Sequence, residues 1–203
     1  MSDSLLAMLS QQIDDQTVRQ IGGQLGVDQQ TAGTAISAAL PVLMGALARN
    51  SQSSGGAGAL AGALDRDHDG SILDDLGGFL GQSGQAMNMG QAILGHVLGG
   101  GQQNSAQQAI GRSTGMNGGQ VGQLLALLAP IVMGFLGRQK RSQSLDGDGL
   151  SAILGSERRR IEEAHPGRGD LVSQILDQDG DGNVGDDLVN LGSKLLGGLL
   201  RGR

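Results

Sequence analysis

The chain has 203 residues, a formal net charge of −6, 38 glycines, two phenylalanines and no Cys, Trp or Tyr. It is long enough to bury a core without cross-links. It has no sulfur for disulfides, thiolate chemistry or thiolate zinc sites, few aromatic faces for stacking on bases or sugars, and no basic surplus for gripping phosphate backbones.

From the start, Met1-Ser2-Asp3-Ser4 lacks the basic opening and long apolar stretch of a secretory signal, so a cytoplasmic protein is expected. Sliding the chain by 89 positions then lays Ile21 to Arg49 on Ile110 to Arg138. Gly26 meets Gly115, Pro41 meets Pro130, Gly45 meets Gly134, and Ile21, Gly22, Gly33, Met44, Leu47 and Arg49 also find identical partners. An internal duplication accounts for this coincidence of special residues.

Each copy reads as a short helix, a glycine turn, a cap at Asp28 or Asn117, and a long apolar helix that its proline should bend. The longest apolar run, 124–137, is interrupted by Pro130 and falls short of the roughly 20 residues that span a bilayer, so no transmembrane segment is expected. Sustained apolar and polar alternation with β-branched residues is absent, and no strand is predicted. The expected fold is all-α: a multihelical bundle with a duplicated helix-turn-helix-like unit. Its first repeat spans 1–98 and carries an acidic loop at 65–76; its second spans 99–203 and carries one at 177–188.

The Gly, Ser and Gln stretches 52–58, 99–105 and 138–144 read as flexible connections, and 156–165 as a charged helix with Arg and Glu four residues apart. His96, in an apolar stretch, reads as a core histidine. The histidines His68, His96 and His165 form no recognisable catalytic constellation, and a non-enzymatic protein is expected.

Ten of the 20 acidic side chains fall in the two loops. Asp65, Asp67, Asp69, Gly70, Ser71, Asp74 and Asp75 in the first correspond to Asp177, Asp179, Asp181, Gly182, Asn183, Asp186 and Asp187 in the second. Calcium takes six to eight oxygens, and carboxylates at loop positions 1, 3 and 5 converge on it while glycine at 6 allows the sharp turn. A backbone carbonyl at position 7 would come from Ser71 or Asn183. These residues make calcium, with magnesium as a substitute, the expected ligand. The pattern resembles the calcium loops of EF-hand and dockerin proteins, except that Leu76 and Leu188 stand where an EF-hand has its bidentate Glu. Asp74 or Asp75, and Asp186 or Asp187, are left to close the sites. The same residues also suit Asx turns, with the paired acids favouring a helix N-terminus. Asp146-Gly-Asp148-Gly149 looks like a fragment of a third loop.

The duplicated helices, the Gly-Val-Asp turn at 26–28, the prolines followed by Met-Gly, the DxDxDG loop and the Gly155-Ser-Glu-Arg-Arg159 segment together resemble the bacterial YidB-like family of uncharacterised domains. That resemblance implies a helical fold and a bacterial source, and no catalytic residues. The function expected is thus an interaction protein that binds calcium through two loops and engages an unknown protein partner or a second copy of itself. The alternative is DNA binding by the helix-turn-helix-like segment 18–40, with Gln29, Gln30, Thr31 and Thr34 reaching base edges. Arg19 is the segment's one basic residue, which disfavours nucleic acid.

Overall fold

A computed structural model describes residues 4–164. Nine α-helices occupy this span: α1 (Leu5–Gln12), α2 (Asp15–Leu25), α3 (Gln29–Gln52), α4 (Gly56–Asp67), α5 (Leu76–Gly81), α6 (Ser83–Val97), α7 (Gly99–Thr114), α8 (Gly118–Ser142) and α9 (Gly147–Ala164). A 3-10 turn, Ser71–Asp74, separates α4 from α5, and no strand occurs among the described residues.

The two helix-turn-helix units close as their turn residues require. Gly26 and Gly115 sit in the left-handed region at φ 67° and 75°, where glycine alone has no Cβ penalty. The Asp28 carboxylate accepts from the Thr31 amide at 2.9 Å. Asn117 accepts from the Gln120 amide at 2.9 Å while the Gln120 side chain accepts from the Asn117 amide at 3.0 Å, a reciprocal capping box. Pro41 and Pro130 lie inside α3 and α8, and neither interrupts its helix.

α3 and α8 form the centre. In α8 every residue from Leu124 to Gly137 is buried, so the helix has no solvent face over four turns and is a core helix by pattern. By length and composition alone, α3 and α8 could each cross a membrane; here 67% and 78% of their apolar windows are buried inside the bundle. One hydrophobic cluster runs from Leu5 to Leu154 and takes side chains from both expected repeats as far as the described residues extend.

With Phe135 the only aromatic deep in this core, close backbone approach supplies the packing that large rings would otherwise give. α6 crosses α8 with Gly90 laid on the Ala126 carbonyl: a Cβ on Gly90 would lie 1.7 Å from that oxygen. The stretches expected to be flexible at 99–105 and 138–142 are helical instead, as the start of α7 and the end of α8. Tertiary contact overrides their weak propensity: buried Ala106 and Ala109 dock α7, and the last turn of α8 is held by the contacts described below.

α9 begins nine residues earlier than its charge pattern suggests. Asp146 is its cap, accepting from the Gly149 amide at 2.8 Å, which is the structural role of the expected third-loop fragment. Further along α9, Glu157 is 2% exposed and accepts from the amides of Leu5 at 3.0 Å and Leu6 at 3.1 Å, and from the Ser4 hydroxyl. A buried carboxylate thus satisfies orphan amides at the start of α1.

Two stability measurements check this packing. Gly90→Ala should lower stability by about 1–3 kcal/mol through overpacking, whereas Gly23→Ala, at an open helical position, should raise it by about 0.4–1 kcal/mol; equal shifts in chemical denaturation would contradict the close crossing. Glu157→Ala should cost about 1–3 kcal/mol by orphaning the α1 amides, and should speed hydrogen exchange in α1 before the rest of the bundle.

Candidate functional site

The first acidic loop lies on the C-terminal half of α8. α4 remains helical through Asp67, so Asp65 and Asp67, two residues apart, point about 200° apart around the helix axis. Asp65 turns toward α8, where both its oxygens accept from Lys140 Nζ at 2.7 and 3.0 Å. Asp67 turns away and lies 3.9 Å from Arg66 Nε.

Past the helix end, Asp69 folds back to accept from the Ser71 amide at 3.0 Å, an Asx turn, and its other oxygen lies 3.6 Å from Arg141. Hydrogen bonding by Ser71, with a smaller contribution from the Arg141 charge, holds the Asp69 carboxyl below the usual carboxylate pKa. Burial pushes the pKa of neighbouring His68 down, against a weaker upward pull from Asp67. Gly70, at φ 88°, makes the sharp turn that its place in the motif requires.

The Gly70 carbonyl accepts from Arg138 Nη2 at 2.9 Å, and the same nitrogen pairs with Asp74 at 2.5 Å. Asp75 caps α5, accepting from the Gly78 amide at 2.8 Å. The expected ligands Asp65, Asp69 and Asp74 therefore face three cations, Asp75 serves a helix start, and Asp67 stands apart. Ser71 uses its amide within the Asx turn. In this arrangement the carboxylates diverge, and among the described residues no three His, Asp or Glu side chains are grouped to hold a metal ion.

The loop's backbone rests on glycines. A Cβ on Gly137 would lie 1.8 Å from the His68 carbonyl oxygen, and one on Gly134 would lie 2.4 Å from Ile72 Cγ2. The other expected ligands, Asp177, Asp179, Asp181, Asn183, Asp186 and Asp187, lie outside the described residues, as does His165.

Sequence reasoning missed Arg138, Lys140 and Arg141, which it placed in a flexible connection. Their signal was present: three bases within four residues at the end of the longest apolar run, in a chain whose acids cluster elsewhere. His96 is exposed rather than in the core. It lies on the wall of an open groove of about 860 Å³ between α4 and α6, which His68 and Asp67 also line.

The helix-turn-helix-like segment uses its polar groups locally. The hydroxyls of Thr31 and Thr34 donate to Asp28 and to the Gln30 carbonyl at 2.7 and 2.9 Å, and its surface carries exposed Asp14, Asp15 and Asp28 beside Arg19. In the second unit Leu124, Leu125, Leu127 and Leu128 are fully buried. DNA binding draws no support from this arrangement.

These features define a class of protein: an all-helical bundle around two long apolar helices, with an acidic loop docked on one of them. The chain belongs to the bacterial family described as "Bacterial protein of unknown function (DUF937)", whose model matches residues 7–139. That span ends between Arg138 and Lys140, so it contains the loop and its first cation and leaves out α9. No curated protein and no solved structure matches the chain.

Gly137→Ala should lift the loop from α8 at a cost of about 1–3 kcal/mol, whereas Lys140→Ala removes one partly screened pair and should cost up to about 1 kcal/mol. Amide exchange over residues 68–75 should accelerate in both, and more in Gly137→Ala. Unchanged exchange in both would mean that the loop is not held by these contacts.

Proposed function

We propose that the protein is a non-enzymatic helical interaction protein in which the acidic loop 65–76 is a charged latch on α8. The supporting observation is the clamp itself: Lys140, Arg141 and Arg138 meet Asp65, Asp69 and Asp74 from the end of one buried helix. The charged groups join elements of the bundle to one another, a use that suits adjustable binding better than acid, base or nucleophile chemistry. The exposed apolar wall of the neighbouring groove supports an interaction role, with a protein partner or a second copy as the expected occupant class.

Calcium, with magnesium as its substitute, belongs to this proposal as a competitor of the clamp. Its support is the DxDxDG skeleton repeated at 65–70 and 177–182. Convergence of Asp65 and Asp67 on one ion requires the last turn of α4 to unwind and Lys140 to yield its partner. Metal affinity is therefore set against the latch.

The proposal also covers origin. Matched glycine turns and matched caps, together with the 89-residue offset, support descent of the two helix-turn-helix units from one duplicated unit. The YidB-like motifs support a finer place within the bacterial family.

Calorimetric titration of EDTA-stripped protein with calcium tests the metal part. Because cations and metal compete, a Lys140→Ala and Arg141→Ala double variant should bind several-fold more tightly than wild type. A variant with Asp65, Asp67, Asp177 and Asp179 all changed to Ala should not bind. No heat at millimolar calcium in any of the proteins would reduce the loop to a latch without a metal.

A further inference from the structure

We propose that Arg49 and Arg158 form a binding site for a small oxyanion, a phosphate or a carboxylate, where α9 lies along the end of α3. The site is independent of the latch, whose cations belong to α8.

Helix packing brings the two arginines together. Through Gly147, Ser151 and Gly155, α9 meets Ala57, Ser51 and Gln52, an antiparallel course on which a Cβ at Gly155 would lie 3.1 Å from Gln52 Nε2. One turn further, three residues beyond Gly155 on α9 and three before Gln52 on α3, stand Arg158 and Arg49. The Arg158 charge reaches Arg49, whose pKa is lowered by burial first and by that charge second.

The helices around this pair supply little negative charge. α1, α3 and α7 contain no acidic residue, and Arg49 Nη2 donates at 3.1 Å to a neutral acceptor, Gln102 Oε1 of α7. On α9, residues 151, 155, 158 and 162 share the face toward α3, which makes Glu162 the acid of that face. Its pair with Arg158 Nε is 3.4 Å long and does not close as a hydrogen bond, so a buried N–H is left unsatisfied. Glu157 is committed to the amides of α1, while Glu163 and Arg160 lie about 140° and 200° around the axis from Arg158. Arg159 folds back beside Gly155 and adds positive charge. Two guanidiniums thus share one half-exposed carboxylate, in a chain whose net charge is −6.

The aligned arginine shows what such a position accepts. Arg138, 89 residues on, donates through Nη2 to the Asp74 carboxylate. A guanidinium offers five donors in a fork that matches carboxylate and phosphate oxygens. An oxyanion held between Arg49 and Arg158 satisfies the buried Nε–H and offsets the repulsion between the two cations. The Gly155-Ser-Glu-Arg-Arg159 segment then divides its work: glycine admits α3, Glu157 caps α1, and Arg158 takes the anion.

Calorimetric titration of the full-length protein with inorganic phosphate, at constant ionic strength in chloride, tests the site, and a parallel titration with acetate distinguishes the two sources of oxyanion. Saturable binding should weaken at least about tenfold in Arg49→Gln and in Arg158→Gln, and stay unchanged in Arg19→Gln, an exposed arginine of α2. Arg49→Lys, which keeps the charge without the fork, should recover part of the loss. Without any substitution, the Nε–H resonance of Arg158 in isotope-labelled protein should shift on saturation. A response to acetate alone would assign a carboxylate to the site. No response to either anion would overturn the proposal, as would equal binding in both Gln variants, which would mark an adventitious ion only.

Discussion

Contact between backbones, made possible by missing side chains, is the constraint on which this bundle depends. A core of Leu, Ile, Val, Met and Ala must draw its helices together to reach interior packing density. On α8 the approach is closest where Ala126 meets Gly90 and where Gly134 and Gly137 meet the acidic loop. These positions decide what can lie on the central helix: α6 crosses at one, and a loop that would elsewhere stand in solvent is pressed against the others. The loop's charges then fall within reach of the end of α8, so glycine placement sets electrostatic partnership as well as packing.

The two long helices show how aligned positions can serve different ends. At the 89-residue offset, Arg138, Lys140 and Arg141 of α8 correspond to Arg49, Ser51 and Gln52 of α3. The three on α8 receive an acidic loop; the three on α3 receive α9. Ser151 donates to the Ser51 carbonyl at 3.4 Å, Gly155 lies against Gln52, and Arg49 stands near Arg158. Neutral residues replace two of the cations where a helix rather than a carboxylate cluster is the neighbour. Arg49, which remains, donates to Gln102 at 3.1 Å and has its pKa lowered, by burial first and by the Arg158 charge second.

Local chemistry was the legible part of this fold. The Gly26 and Gly115 turns, the Asp28 and Asn117 caps and the buried leucines of α8 follow from residue types and spacing, because each depends on neighbours within a few positions. What depended on distant neighbours was hidden. The Gly99–Ser105 stretch has the composition of a linker and becomes helix only because buried alanines just beyond it dock α7. The acidic motif announced the sharp turn at Gly70, but α4 persists into the expected loop and separates the first two carboxylates, and Lys140, 75 residues away, takes one of them. Glycine 90 announced nothing by itself, since its role exists only at the crossing.

The Glu157 tie to the first helix also has a consequence in time. Its contact with Leu5 joins residues 152 positions apart, so all the residues between them must be made before α1 can be capped. At synthesis rates of about 5–20 residues per second, the amides that open α1 wait roughly eight to thirty seconds for their carboxylate. Capping of α1 is then a late step of assembly, whereas Leu5 and Leu9 bind its apolar face to a core made well before.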